Sequence, residues 1–159
     1  MGAKAEDVRL VTWQPDFRAE FERLNRHWIE RWFTVEDEDR RVFEDPAGRI
    51  IEPGGQIFFL VDEEGVRGTC AVIRHDAGTF ELAKMAVEPA AQGRGYGDRL
   101  VEAAIGFARD AGAGRLMLVS NTRLAPALRL YRKHGFRDVP LEPANGYSRA
   151  DIQLELDLR

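Results

Sequence analysis

"MAVEPAAQGRGYGDRL", Met85 to Leu100, decides how the chain is read. A strand-like apolar run ends at Val87, and an amphipathic helix follows the last glycine. Between them Gly93, Gly95 and Gly97 stand at alternate positions. Glycine inside an element costs about 0.5–1 kcal/mol in lost backbone freedom, so this density implies a need for bare backbone. A helix start presents unpaired N–H groups and the positive end of the helix dipole. Without side chains in the way, an anion can lie on that backbone, and Arg94 adds a cation. The alternative is a glycine-rich turn with no ligand. The spacing is not the dinucleotide G-x-G-x-x-G, because Asp98 stands where the third glycine belongs, and no Gly-Lys-Ser/Thr follows as in a P-loop.

Working outward, "VRLVTW" reads as a first strand and Pro15 suits the start of a helix. Phe17, Phe21, Leu24 and Trp28 recur at helical spacing in that helix. "TVEDEDRRVF" is expected as a second short helix and "DPAGRIIEPGG" as loop. "QIFFLVD" and "VRGTCAVIR", separated by "EEG", read as a hairpin, and "TFELAKMAV" as the next strand. "GDRLVEAAIGFARDAGAG" is helical, with Leu100, Val101, Ala104, Ile105 and Ala108 on one stripe and Gly112 at its end. "RLMLVS" is a buried strand. "APALRLYRKHG" is a helix with Pro126 near its start and Gly135 at its end. "FRDV" and "ADIQLELDL" close the chain as strands. The order β-α-α-β-β-β-α-β-α-β-β describes a mixed sheet in an α/β sandwich.

The 159 residues fit one domain, 1–159, with no repeat or linker composition. Net charge is −4, which argues against a nucleic-acid partner. No apolar run is long enough to cross a bilayer, so no membrane partner is expected. The N-terminus lacks a signal-peptide core, and Glu6 stands where myristoylation wants serine or threonine. A lone cysteine, Cys70, fits a reducing cytoplasm and reads as a small buried hydrophobe. No histidine pair has metal-ligand spacing, so no metal is expected. "EDEDRRVFED" is mostly acidic, whereas "NTRLAPALRLYRKHGFR" carries cations and no acid. These runs are either solvated faces or a cationic ligand toward the first half and an anionic one toward the second.

Gln92-Gly93-Arg94-Gly95-Tyr96-Gly97 matches Q-x-x-G-x-G, it follows "MAVEP", and "ALRLYRKHGF" lies downstream. With these two motifs the chain resembles the GNAT superfamily of acetyl-CoA-dependent N-acetyltransferases, over roughly Gln56 to the C-terminus. The resemblance implies a GNAT-type α/β sandwich, with a mixed, mostly antiparallel central sheet flanked by about four helices. It implies that Gln92, Gly93, Arg94, Gly95, Tyr96 and Gly97, with the amide of Asp98, cradle the coenzyme A pyrophosphate, Tyr96 through its backbone only. Met85, Ala86 and Val87 would pair with the pantetheine as an added strand, with Ala127 also beside the cofactor. The amide of Val87 or Met85 would polarise the thioester carbonyl. Tyr131 matches the tyrosine that protonates the departing thiolate; the other reading is an aromatic packed with its helix. Relatives carry an asparagine seven residues before that tyrosine, where Leu124 stands here. Asn121 takes over its contact or caps the following helix.

The implied chemistry is acetyl transfer to a primary amine by direct attack in a ternary complex. An alkyl ammonium with a pKa near ~10.4 must lose a proton first, so a base is required. Glu81 lies eleven residues before Gln92, as does the base in the histone-acetylating branch of the family. The other reading is an ordinary strand glutamate, facing solvent or ion-paired. His75 is a second candidate base, and His134 is expected to serve a helix dipole. The acceptor wall in such proteins comes from the first helices. Here Trp28, Trp32, Phe33 and Glu36 to Asp39 would suit a cationic amine, unless the tryptophans form the core face. The partner is then a small-molecule amine or peptide, with a homodimer possible. Competing readings are a non-catalytic coenzyme A sensor and a different phosphate binder.

Overall fold

The computed structural model describes residues 7–142 and 147–159, so the reading of the Met1-Gly2 start lies outside it. Its elements run β1 (Arg9–Thr12), α1 (Arg18–Trp32), α2 (Asp37–Glu44), β2 (Gln56–Asp62), β3 (Gly65–Arg74), β4 (Thr79–Val87), α3 (Tyr96–Asp110), β5 (Arg115–Ser120), α4 (Ala125–Lys133), β6 (Arg137–Val139) and β7 (Ile152–Asp157). The expected order is met. Added to it are 3-10 turns at Pro15–Phe17 and Pro89–Ala91 and a π-helical turn at Ala47–Ile51, in the stretch expected as loop, where Ile50 is buried against α1 and β2 residues.

The seven strands form one sheet in the order β1-β2-β3-β4-β5-β7-β6. Among them only β4 and β5 run parallel, because the α3 crossover links them. One apolar layer packs α3 and α4 on the sheet, with Phe80, Leu82, Leu100, Leu116 and Leu118 at its centre. The other packs α1 and α2 on the opposite face, around Phe21, Leu24, Phe43 and Phe59. Phe21 and Leu24 come from the expected stripe of α1, and Leu100, Val101, Ala104 and Ala108 from that of α3.

Two irregularities in β4 make room for a site. Its pairing with β5 covers only Thr79–Arg115, Phe80–Leu116 and Glu81–Met117. Beyond that point β5 stays with β7 as far as Ser120–Ile152, and β4 continues alone on that side to Val87. The second irregularity is a bulge. Thr69 faces Ala86 and Ala71 faces Ala83, so β4 spends three steps where β3 spends two. Lys84 sits in that extra step with φ +52, the left-handed region. A strand alternates faces every residue, so one extra residue inverts the alternation. Phe80 and Leu82 face the α3 layer before the bulge, and Met85 and Val87 face it afterwards.

The bulged Lys84 reaches into the other layer, where Asp39 waits on α2. Lys84 Nζ donates to Asp39 Oδ1 at 2.5 Å and to the Tyr147 hydroxyl at 2.9 Å. Arg149 donates to both Asp39 oxygens, at 2.7 and 2.8 Å. Asp39 also closes a capping box, accepting the Glu36 N–H at 2.8 Å. Its carboxylate is therefore fully buried yet satisfied on every side. Burial alone would raise its pKa, but the bonds from Arg149 and Lys84 override that and hold the group well below its ordinary 3.8.

A carboxyl whose folded pKa lies below its unfolded value contributes stability above the unfolded pKa and loses it as pH falls through the folded one. Urea unfolding midpoints are thus expected to hold steady above about pH 4 and to drop as acid is added below it. Asp39→Asn should flatten that drop and cost about 3–5 kcal/mol at pH 7, because buried Lys84 loses its carboxylate partner and Arg149 is left with Glu36 alone. An unchanged acid profile in the variant would remove Asp39 from this role.

Candidate functional site

Two connected hollows lie along the free side of β4. The larger, about 590 Å³, runs from Met85, Ala86 and Val87 past Gln92 and the glycines to Pro126, Ala127 and Leu130 of α4. The smaller, about 160 Å³, fills the gap between β4 and β5 and ends at the α1 and C-terminal walls. Trp28, Met85 and Leu124 belong to both, so the hollows meet beside Met85. Leu124, where relatives were expected to carry asparagine, stands at that junction.

The glycines of the opening motif divide into two jobs. Gly93 and Gly95 hold φ of +81 and +80, and a Cβ built on either meets nothing within 4 Å. They supply a left-handed backbone that leaves the mouth of the loop open at the start of α3. Gly97 is different: a Cβ there would lie 2.9 Å from Leu130 Cδ2, so it lets α3 approach α4. Gln92, Gly93, Gly95, Tyr96, Gly97 and Asp98 all line the larger hollow. Arg94 is not in that wall, and its Nη1 is buried without a hydrogen-bond partner in the described structure. Tyr96 does more than lend backbone, since its ring is fully buried and its hydroxyl donates to Asp62 Oδ2 at 3.3 Å. Asp98 turns its carboxylate toward α4, pairing with Lys133 Nζ and His134 Nε2 at 2.8 Å each. The Lys133 and His134 bonds hold its pKa down, and His134, at the C-cap of α4 where the dipole expectation placed it, also carries this bond.

The smaller hollow gathers Glu81, Tyr131 and Phe33. Glu81 occupies the last paired position of β4, at the apex where the strands part. Its Oε1 lies 2.6 Å from His75 Nε2, so the two candidate bases are one pair. His75 is half exposed, and the bond to Glu81 raises its pKa against the opposing pull of burial. Tyr131 comes from α4, buried against Phe136, with no hydrogen-bond partner for its hydroxyl among the described residues. Burial pushes its phenol pKa up, so it keeps its proton at neutral pH.

Several expectations are corrected here. Asn121 lies in the smaller hollow, not beside the larger one. Both ends of its side-chain amide are used within the protein: Nδ2 donates to the Arg149 carbonyl at 2.7 Å, and Oδ1 accepts the Arg123 N–H at 2.8 Å. The capping reading of Asn121 fails as well: its Oδ1 closes the turn at Arg123, ahead of α4, whose N-cap Leu124 receives no side-chain cap bond. Trp32 is 43% exposed and faces the larger hollow, so it belongs neither to the core nor to the smaller wall. Trp28 ties α1 to the strand end through its indole N–H, which donates to the Val87 carbonyl at 2.9 Å. The acidic run offers no free cluster to a ligand. Asp39 is consumed internally, Glu36 pairs with Arg149, and Asp37 and Glu38 pair with Arg40 and Arg41 along α2.

Lys84, Tyr147 and Arg149 also line the smaller hollow and were missed. A lone lysine between Ala83 and Met85 in an apolar strand was a signal for Lys84. Tyr147 and Arg149 carried none, because only the fold brings their loop across α2.

The sequence matches the acetyltransferase (GNAT) family over residues 13–136. It is 32% identical over 113 residues to a streptothricin acetyltransferase of Streptomyces lavendulae, which spans 65% of this chain and 60% of that protein. It is 36% identical over 83 residues to an IAA acetyltransferase of Azospirillum brasilense, 51% of this chain and 54% of that protein. The chain thus spans less than two thirds of either relative. In fold it is similar to a GNAT-family acetyltransferase of Staphylococcus aureus, with TM-score 0.88 and 16% identity over 96% of this chain and 99% of the other. It is similar also to the Salmonella typhimurium protein yncA, solved with its cofactor acetyl-CoA, with TM-score 0.77 and 20% identity over 96% and 95% of the two chains. The left-handed glycine loop on a free strand edge and the family match over most of the chain agree: the protein belongs to the GNAT acetyltransferase family.

Proposed function

We propose that the protein transfers the acetyl group of acetyl-CoA to a primary amine held between β4 and β5, by direct attack with both substrates bound. The observation that carries this reading is the junction at Met85, where a hollow edged by the open glycine loop meets one holding Glu81 and Tyr131. The loop fits a pyrophosphate, since Gly93 and Gly95 leave open space where side chains would stand. Gln92 to Asp98 would hold that group, and Met85, Ala86 and Val87 would lie along the pantetheine. Acetyl-CoA, when bound, supplies an activated acyl thioester. The Met85 or Val87 amide then faces the developing oxyanion, a donor position worth roughly 3–4 kcal/mol in comparable sites.

Glu81 takes the proton of the incoming ammonium, directly or through a water. Its bond to His75 orients the carboxylate and opens a route to solvent through the exposed imidazole. Tyr131, kept protonated by burial, gives a proton to the departing thiolate. The ammonium nitrogen loses two protons in becoming an amide, one before attack and one after it; one makes good the proton that Tyr131 gives the thiolate, and the other leaves to solvent by way of Glu81 and His75.

Glu81→Gln is expected to lower kcat by about 10²–10⁴-fold near neutral pH. The deficit should shrink as pH rises toward the amine pKa, where solvent supplies the free amine. A deficit independent of pH would sink the assignment. Tyr131→Phe removes only the hydroxyl and should cost roughly 10²-fold in kcat or more. Wild-type turnover in that variant would return Tyr131 to packing alone. A thiol-release assay across a panel of amines reads both. Acetyl-CoA binding with no turnover on any amine would favour a non-catalytic sensor.

A further inference from the structure

The charges on the wall of the smaller hollow are arranged in a particular order. Lys84 and Arg149 face the space, whereas their carboxylate partners Asp39 and Glu36 are not part of that wall. Asp39 is fully buried behind them, so its charge is neutralised from the protein side. Arg149 spends Nη1 on Glu36 and Asp39 and one N–H of Nη2 on Asp39. Its Nε–H and the second N–H of Nη2 have no partner among the described residues, and its side chain keeps 18% of its exposure. The ring of Tyr147 lies 4.3 Å from Lys84 Nζ and 4.6 Å from the Arg149 guanidinium, which holds both cations in place. On the strand side of the same hollow stands Glu81.

We infer that the acceptor is a small zwitterion, an amine with a carboxylate or equivalent oxyanion a few bonds away, whose anionic end is held by Arg149 beside Lys84 while its amine meets Glu81. The inference rests on the acetyl-transfer reading and names its substrate class. A guanidinium with two free N–H groups is suited to a carboxylate, which it grips in a planar fork. The hollow is small, about 160 Å³, below the ordinary range of ligand pockets, so the acceptor is of amino-acid scale. Trp28, Ile29, Phe33 and Leu124 supply an apolar wall for a side chain. An acceptor carrying only positive charge would set that charge beside Arg149 and Lys84 with no acid of the wall except Glu81. The structure therefore reverses the cationic acceptor that the acidic run suggested.

The test compares matched acceptors in the thiol-release assay with the full chain and acetyl-CoA: leucine, methionine and phenylalanine, their carboxamides, and the corresponding decarboxylated amines. The free acids are expected to exceed amides and amines in kcat/KM by about tenfold or more, as for a lost hydrogen bond to a charged group. Arg149→Gln should collapse that ratio toward one, mainly through KM. Paired Asp39→Asn/Arg149→Gln removes the buried charge together with its partner and should give the same collapse if the single variant folds poorly. Amides or amines consumed as well as the acids, or a ratio that survives both variants, would overturn the inference. If no compound of any class is acetylated, the acetyl-transfer reading fails. Calorimetry with coenzyme A present then decides the binding claim: acid-selective binding lost in the Arg149 variants upholds it, and equal or absent binding of the acids overturns it.

Discussion

The parting of β4 from β5 after Glu81 and Met117 is the constraint on which the rest of the molecule depends. A strand that loses its neighbour leaves backbone N–H and C=O groups that must find other partners. Trp28 takes one of them, the Val87 carbonyl, and so anchors α1 across the gap. The others form an edge that an extended ligand can join as an added strand, the same hydrogen bonding that holds the sheet together. Tyr131 enters the gap from α4 and Glu81 sits at its apex. The proposed acid and base thus stand at the place where the sheet opens.

The bulge at Lys84 decides what faces that gap. Without it, β4 would keep one alternation along its whole length, and Met85 and Val87 would exchange faces with Ala86. The strain of a left-handed lysine is offset by its buried bond to Asp39. That bond links α2, the middle of β4 and the segment before β7, which are distant in sequence. Removing one member leaves a desolvated charge, so the three segments are coupled in stability as well as in position. The same cluster lines the smaller hollow, so the wall proposed to face an acceptor and an ion pair that holds the fold are one structure.

Several charged residues serve this economy rather than a ligand. The acids of α2 cap their helix, pair along its surface or bury themselves against Lys84 and Arg149. Asp98, next to the glycine loop, points its carboxylate at Lys133 and His134, which keeps that negative charge from the place where a phosphate would lie. What remains on the wall of the smaller hollow is Glu81, bonded to His75 behind it, with two tyrosines and two cations.

The sequence by itself determined the order of elements, the mixed sheet, and the glycine loop before α3. Those follow from local signals: period-2 and period-3.6 apolar patterns, prolines at helix starts, and glycines where φ must be positive. It also carried the family motif and the positions of Glu81 and Tyr131. Only the tertiary structure decided what those positions face. The alternation in "FELAKMAV" reads as one regular strand, because a bulge is set by register with β3 and leaves no mark in the spacing. Gly97 reads like Gly93 and Gly95 but answers to Leu130, a contact between two helices. Asn121 could serve the cofactor or cap α4 until the fold placed the Arg149 carbonyl and the Arg123 N–H within its reach. Asp39 reads as one acid in an acidic run, yet it is buried because Lys84 and Arg149, 45 and 110 residues away, converge on it. Charge in a sequence gives composition; the closing of distant segments decides which charges meet solvent, each other or a substrate.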